Sequence, residues 1–226
     1  MDGQRIGQAR EALGLLLRGL PVGSAFDIIS FGSAFAPLFG EPRRYDDDAL
    51  ELASQHIAGM AADMGGTEIL APLQHALARP LPGGRVRNVF LLTDGAVSNA
   101  NEVFAAVEAA VSPAPGDDAA GGVAAAPGRS RVFALGVGDA VSHHLVNGVA
   151  RAGGGTARFV RAGQDMRGPV LEQLRQALHP ALDRVTVAWN FADAAPQPPL
   201  PHVADSDGAA LPGDSDGSGG GDGDPA

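Results

Sequence analysis

The chain has 226 residues, of which 45% are hydrophobic, so it is long and apolar enough to bury one substantial core. It contains no cysteine, which excludes disulfides and thiolate metal sites. The formal net charge of −10 includes six aspartates in the last 22 residues, and residues 1 to 204 carry only −4. Nothing in this balance forms a basic groove for a phosphate backbone, so we expect no nucleic-acid partner.

The sequence also argues against a membrane protein. No stretch approaches the roughly 18 apolar residues that a membrane span needs. The N-terminus lacks the compact apolar core and small-residue cleavage site of a signal peptide. We therefore expect no membrane span and, by default, a cytoplasmic location, although the second expectation holds only if Met1 is the true start of the protein.

The first part of the chain mixes helical and strand patterns. Apolar residues recur at helical spacing in three segments, which predict helices over residues 3 to 20, 48 to 62 and 69 to 78. Asp46 or Asp47 is a plausible cap of the second helix. Two apolar stretches predict a buried strand at FDIISFGS, residues 26 to 33, and a short edge strand at AFAPLFG, residues 34 to 40. A helix thus opens a pattern in which a strand would normally come first.

The second part alternates more regularly. Predicted strands are NVFLLTDG (88 to 95), RVFALGVGD (131 to 139) and TARFV (156 to 160), of which the first has the continuous apolar run of a central parallel strand. Predicted helices cover 101 to 111, a segment beginning near 142, and most of 166 to 182. Three further segments are predicted as a low-complexity surface insertion (112 to 129), a half-buried strand that starts a following β segment (183 to 191) and a disordered acidic tail (193 to 226).

Strands that alternate with helices predict an α/β fold with a mostly parallel sheet covered by helices on both faces. Such sheets carry their functional groups in loops beyond the carboxyl ends of the strands. Two loops stand out there, Gly65-Gly66-Thr67-Glu68 and Thr93-Asp94-Gly95. A hydroxyl and a carboxylate at one sheet end suit a hard cation such as Mg²⁺, but two ligands are too few for a tight site.

The order of these segments resembles the von Willebrand factor type A domain. FDIISFGS, GGTEILAPL, NVFLLTDGAVSN, RVFALGVGDAVSHHLVNGVARAGGG and TARFV match it in succession over roughly residues 1 to 180. The likeness is greatest to the branch of inter-alpha-trypsin inhibitor heavy chains, which carry a VIT domain before the A domain. The resemblance implies a three-layer, Rossmann-like fold.

The resemblance also implies a metal-ion-dependent adhesion site. In the family, three loops hold the metal: Asp-x-Ser-x-Ser after the first strand, a threonine and an aspartate. By resemblance Thr67 and Asp94 are the second-loop and third-loop metal ligands. The ion would be Mg²⁺, or Mn²⁺ or Ca²⁺, and would accept a Glu or Asp carboxylate from a protein partner without substrate turnover.

The first metal loop has no counterpart in this sequence. Met1-Asp2-Gly3-Gln4-Arg5-Ile6 matches the residues directly after the family's Asp-x-Ser-Gly-Ser motif, so the resemblance implies an N-terminal truncation that removes the first, central strand and three ligands. We therefore expect the chain alone to bind metal weakly or not at all. The loss of a central strand would also expose the edges of its neighbours.

Other interpretations remain open at this stage. The domain could be a metal-independent protein-binding scaffold. In that case Asp94 could simply end a strand and Thr67 could cap a helix. Glu68 would sit in the first turn of that helix. An enzyme of the α/β hydrolase or phosphoryl-transfer class that uses Asp94 with Mg²⁺ is a third possibility. It lacks a phosphate-binding Gly-Lys loop and a nucleophile elbow, so we expect a binding module with no catalytic residues.

Overall fold

The computed structural model describes residues 3–81, 85–111 and 130–179. They form six helices: α1 (Gln4–Arg18), α2 (Asp47–Gly59), α3 (Leu70–Ala78), α4 (Ala100–Val111), α5 (His143–Ala152) and α6 (Arg167–Leu178). They also form seven strands: β1 (Ala25–Phe26), β2 (Ile29–Phe31), β3 (Phe35–Pro37), β4 (Arg43–Arg44), β5 (Arg87–Thr93), β6 (Ser130–Val137) and β7 (Gly154–Val160). Every predicted helix that falls within these residues is present.

The main sheet consists of β5, β6 and β7 in that order, all parallel. β5 and β6 pair in continuous register from Arg87 opposite Ser130 to Thr93 opposite Gly136. Helices separate consecutive strands, because parallel neighbours need a crossover connection. The α/β class with a parallel sheet is therefore confirmed.

Helices cover both faces of this sheet. On one face Leu92, Leu135 and Val137 pack with apolar residues of α1 and α6. On the other face Leu91 and Val132 pack with apolar residues of α3, α4 and α5. Consecutive residues of a strand point to opposite faces, so Leu91 and Leu92 divide between the two cores. The three-layer arrangement expected from the sequence is confirmed.

The predicted buried strand at FDIISFGS is wrong as a single element. The chain here forms two short strands, β1 and the half-buried β2, interrupted at Asp27 and Ile28. The Asp27 carboxylate accepts hydrogen bonds from the backbone N–H groups of Ile28 (2.8 Å) and Phe39 (3.0 Å) and pairs with Arg79 at 3.0 Å. These bonds satisfy a largely buried charge near the start of the segment, as a buried carboxylate requires.

Neither half of that segment belongs to the parallel sheet. β1 pairs antiparallel with β4, and β2 pairs antiparallel with β3, whose Pro37 lies opposite Ile29. The expected edge strand with a proline is confirmed as β3. β5, predicted as a central strand, lies at the edge of the sheet as far as the described residues extend.

Several predictions can be placed only partly. The predicted insertion (112 to 129), the strand at 183 to 191 and the acidic tail (193 to 226) lie outside the described residues. The cap of α2 is Asp46, whose carboxylate accepts from the backbone N–H of Ala49 at 2.8 Å. None of the helices in the described part of the chain has the length and apolar character needed to cross a membrane.

Candidate functional site at the carboxyl end of β5

Thr67 lies in a loop that the backbone of Gly32 and Ser33 holds in place. Ser33 N–H donates to the Met64 carbonyl and Glu68 N–H donates to the Gly32 carbonyl, both at 2.8 Å. Ser33 Oγ accepts from Gly66 N–H, also at 2.8 Å. Three hydrogen bonds therefore connect the end of β2 to residues 64 to 68 and fix the position of Thr67.

Two glycines allow this close approach. A Cβ added to Gly32 would overlap the carbonyl oxygen of Met64, so the two segments fit together only without a side chain there. Gly65 has a φ of +74°, in the left-handed region that glycine adopts without steric cost. The conformation of this loop thus depends on glycine at both positions, Gly32 and Gly65.

The structure argues against two alternative roles for this loop. α3 begins at Leu70 with Ile69 at its N-cap position, and no side chain caps it. Thr67 is therefore not the helix cap. Glu68 lies before the helix rather than in its first turn, so the expectation for Glu68 is wrong, because the hydrogen bond to Gly32 keeps its backbone in the loop.

Asp94 directly follows β5, and its side chain is only 11% exposed. Its carboxylate contacts the Arg5 guanidinium, with Oδ2 3.0 Å from Nη1. Arg5 lies in the first turn of α1, which has no acidic residue there and no side-chain cap. Asp94 therefore offsets the charge of the Arg5 guanidinium.

The structure brings Thr67 next to the Asp94 loop. A Cβ built on Gly95 would lie 3.2 Å from Thr67 Oγ1, so the threonine hydroxyl borders the residue that follows Asp94. Thr93 is buried and its Oγ1 accepts from Gly95 N–H at 3.4 Å, which tightens the turn. Both proposed ligands therefore lie at the carboxyl end of the sheet, on neighbouring loops.

The donor set can be compared with what a divalent ion needs. One carboxylate and one hydroxyl are the hard oxygen donors that Mg²⁺ prefers, but they are two of the six positions in its octahedron. Among residues 3–81, 85–111 and 130–179, no three His, Cys, Asp or Glu side chains form a metal-binding group. The chemistry of the two side chains fits such an ion, whereas their number does not.

Sequence reasoning missed three residues that shape this site. Ser33 and Gly32 hold the threonine loop, and Arg5 neutralises Asp94. The serine and glycine are part of the strand-end motif FGS, and a polar residue after a strand is the signal that could have suggested a role. The arginine gave no such signal, since its partner is 89 positions away.

The layered α/β fold, with polar side chains at the carboxyl end of a parallel strand, defines a broad class of ligand-binding domains. Within this class, the model of the von Willebrand factor type A domain matches residues 1–159. The chain belongs to that family. Domains of the family are protein-interaction modules that often carry a metal-ion-dependent adhesion site, or MIDAS.

Relatives with similar sequences carry the same domain. The chain is 34% identical over 187 residues to human von Willebrand factor A domain-containing protein 5A, covering 83% of this chain and 22% of that protein. It is 32% identical over 191 residues to a von Willebrand factor A domain-containing protein of Dictyostelium discoideum, covering 84% of this chain and 19% of that protein. The chain thus spans about a fifth of the length of these curated relatives.

Solved structures confirm the fold. A von Willebrand factor type A protein from Catenulispora acidiphila superposes with a TM-score of 0.57 at 18% identity, over 77% of this chain and 37% of that one. Proximal thread matrix protein 1 from the mussel byssus, described with a zinc-occupied MIDAS motif, gives 0.55 at 14% identity, over 77% of this chain and 43% of that one. At these identities the likeness concerns the fold alone.

Proposed function

We propose that this chain is a protein-interaction module whose docking point is a divalent ion held in part by Thr67 and Asp94. The observation that carries the proposal is the approach of Thr67 Oγ1 to Gly95, beside the carboxylate of Asp94. The family membership supports it, because a metal site of this kind recurs among type A domains. The ion would be Mg²⁺ or Mn²⁺, and its partner would offer a Glu or Asp carboxylate.

The residues of this chain would have distinct tasks. Asp94 supplies a negative oxygen from a mostly buried position, and Thr67 supplies a neutral one on a loop held by Ser33. A bound ion provides the open coordination position that an acidic partner side chain fills. No turnover is needed for this role, so the proposal assigns no catalytic residue.

Arg5 competes for Asp94. Its guanidinium is 3.0 Å from the carboxylate, so an ion that binds there must displace a positive charge already in place. With two protein oxygens and a competing arginine, we expect the chain by itself to bind Mg²⁺ only weakly. We further propose that ligands from a first loop of the Asp-x-Ser-x-Ser kind, in a longer parent protein of the VIT-containing branch, complete the site.

A titration with Mn²⁺ followed by amide-resolved NMR tests this assignment, because a paramagnetic ion broadens nearby resonances even when it binds weakly. We expect broadening centred on residues 66 to 67 and 94 to 95. It should disappear in Thr67→Val combined with Asp94→Asn and persist in Asp47→Asn, an exposed carboxylate on α2 that serves as the matched control.

Two outcomes would overturn the proposal. One is broadening centred elsewhere in the domain, which would leave a metal-independent scaffold as the better description. The other concerns the affinity for Mg²⁺. We expect calorimetry to show no saturation below about 1 mM Mg²⁺, a concentration that corresponds to a binding free energy of roughly 4 kcal/mol. Micromolar binding by this chain would contradict the conclusion that its site is incomplete.

A further inference from the structure

Three polar side chains form a connected network at the end of α3, near the start of β5 and opposite the candidate metal site. The Arg79 guanidinium donates through Nη1 to Asp27 Oδ2 at 3.0 Å, and its Nη2 lies 2.6 Å from His75 Nε2. The side chains of Arg79 and Asp27 are largely buried, 12% and 6% exposed, and His75 is half-buried. We call these three residues the α3 network.

The α3 network connects elements that are far apart in the sequence. Asp27 lies between β1 and β2, and its Oδ1 accepts from the backbone N–H of Phe39, two residues after β3. Arg79 is the C-cap residue of α3, and its carbonyl oxygen accepts from the side chain of Arg87 at the start of β5. The end of α3, the antiparallel strands and β5 therefore meet at Arg79.

The contact between Arg79 and His75 fixes the protonation state of the histidine. A guanidinium has donors and no acceptor, so His75 Nε2 must accept the hydrogen bond. The ring is then neutral and carries its proton on Nδ1. A second proton, on Nε2, would set two donors against each other at 2.6 Å, so this contact exists only while His75 is neutral.

The charges around His75 also oppose a proton there. Arg79 faces the ring from its own helix, Asp27 lies on the far side of Arg79, and β3 contributes the uncharged ring of Phe35, 5.2 Å away between centroids. Burial and then the adjacent charge of Arg79 lower the pKa of Arg87. A protonated His75 would thus add a third positive charge beside Arg79 and Arg87, with one carboxylate in the α3 network to offset it.

One feature favours the protonated ring. His75 lies in the last turn of α3, where the partial negative charge of the helix end attracts cations. This attraction is modest and is weakened by solvent at a half-buried position. The hydrogen bond from Arg79 has a charged donor, which makes it stronger than a neutral one, and it is lost completely on protonation. We therefore expect the loss of this bond to decide the outcome.

We propose that His75 is a proton-sensitive switch: when neutral it helps to hold Arg79 against Asp27, and when protonated it releases Arg79 and loosens the end of α3 from the antiparallel strands. Histidine is the side chain suited to this role, because it changes charge in the range between about pH 5 and 8. The buried Asp27 carboxylate would lose its ion-pair partner on release. This property is additional to the proposed metal site and does not need the ion.

The test is residue-resolved NMR of the full chain in EDTA, recorded from about pH 8 to pH 5. We expect the His75 ring, the Arg79 side-chain Nε–H and the Phe39 amide to change with a common midpoint, because the three groups are linked through Asp27. Amide exchange at Leu77 and Ala78, corrected for its intrinsic pH dependence, should be about tenfold faster at about pH 5.5 than at about pH 7.5.

Two histidine variants separate this switch from general acid effects. His75→Gln supplies an acceptor oxygen that does not titrate, so the Arg79 and Phe39 resonances should stay near their neutral-pH positions throughout. His144→Gln changes an exposed histidine of α5 whose ring contacts Phe104, and it should leave the common titration step unchanged. Circular dichroism would verify that both variants fold.

Several results would overturn the inference. Titration of His75 without a change at Arg79 and Phe39 would show that the histidine does not control the ion pair. Persistence of the step in His75→Gln would assign it to another group, and unfolding of the whole domain by about pH 5.5 would show that the release is not local. If His75→Gln does not fold, the three midpoints in the unaltered chain decide. Since all measurements are made in EDTA, failure here is distinguishable from failure of the metal proposal.

Discussion

The two edges of β5 differ in how completely other parts of the chain cover them. On one side β6 is paired on both of its edges and is buried along almost its whole length. On the other side β5 has no strand partner among the described residues, and Val89 and Phe90 are only half-buried although both are apolar. Hydrophobic sequence alone therefore does not determine burial, because a strand also needs a neighbour at each edge.

The largest expected effect compares two phenylalanines that face each other across the ladder. Phe90 of β5 and Phe133 of β6 stack with ring centroids 5.2 Å apart, but Phe133 is 2% exposed and Phe90 is half-buried. Phe133→Ala should lower the free energy of unfolding by about 3 to 5 kcal/mol. Phe90→Ala should cost clearly less, since part of its side chain is already exposed.

Urea denaturation monitored by circular dichroism measures both values under identical conditions. The comparison would fail if Phe90→Ala were as costly as Phe133→Ala.

The next comparison concerns two glycines at close backbone contacts, one beside β6 and one at the threonine loop. A Cβ on Gly155 would overlap the Val132 carbonyl in the closed part of the sheet, and one on Gly32 would overlap Met64 at the threonine loop. Gly155→Ala should destabilise the fold by about 1 to 3 kcal/mol, the usual cost of overpacking. Gly32→Ala should instead abolish Mn²⁺ broadening near residue 67 with a smaller effect on unfolding, which NMR and thermal denaturation can separate.

A smaller effect is expected at the arginine that neutralises Asp94. Arg5→Gln removes the competing guanidinium, which is 35% exposed, so the gain resembles that of a partly exposed ion pair, about 1 kcal/mol or less. Mn²⁺ should bind up to about fivefold more tightly, as measured by water-proton relaxation. Arg10→Gln, on the same helix, serves as a control that should leave Mn²⁺ affinity unchanged.

The smallest effect lies on the exposed surface of α6. Hydrogen bonds from Gln176 and from Arg175 lower the pKa of Glu172 below its ordinary value of 4.5. A carboxylate with a lowered pKa in the folded state contributes stability above pH 4.5, and this contribution disappears as the pH falls through the folded-state pKa. Glu172→Gln should slightly flatten the acid limb of the curve of melting temperature against pH, and an unchanged limb would contradict this.

Local patterns in the sequence predicted the helices and the strands of the parallel sheet, because apolar periodicity reflects which face each element buries. They did not predict the interruption at Asp27. That break depends on Arg79 and on Phe39 N–H, which lie 52 and 12 positions away. A pattern of apolar residues does not contain the partner of a buried charge.

The candidate site was also predictable only in part, because local sequence patterns do not contain its long-range contacts. Thr67 and Asp94 were proposed as metal ligands through resemblance to a family, and they lie on neighbouring loops. The hydrogen bond of Ser33 to Gly66 and the contact of Arg5 with Asp94 are long-range features that only the fold creates.

Hydrogen exchange resolved at single amides tests the open edge of β5 most directly. Every second amide of Arg87–Thr93 points away from β6, so we predict alternating fast and slow exchange along β5 and uniformly slow exchange along β6. Uniform protection along β5 in the chain alone would contradict the account, because the edge would then already have a partner.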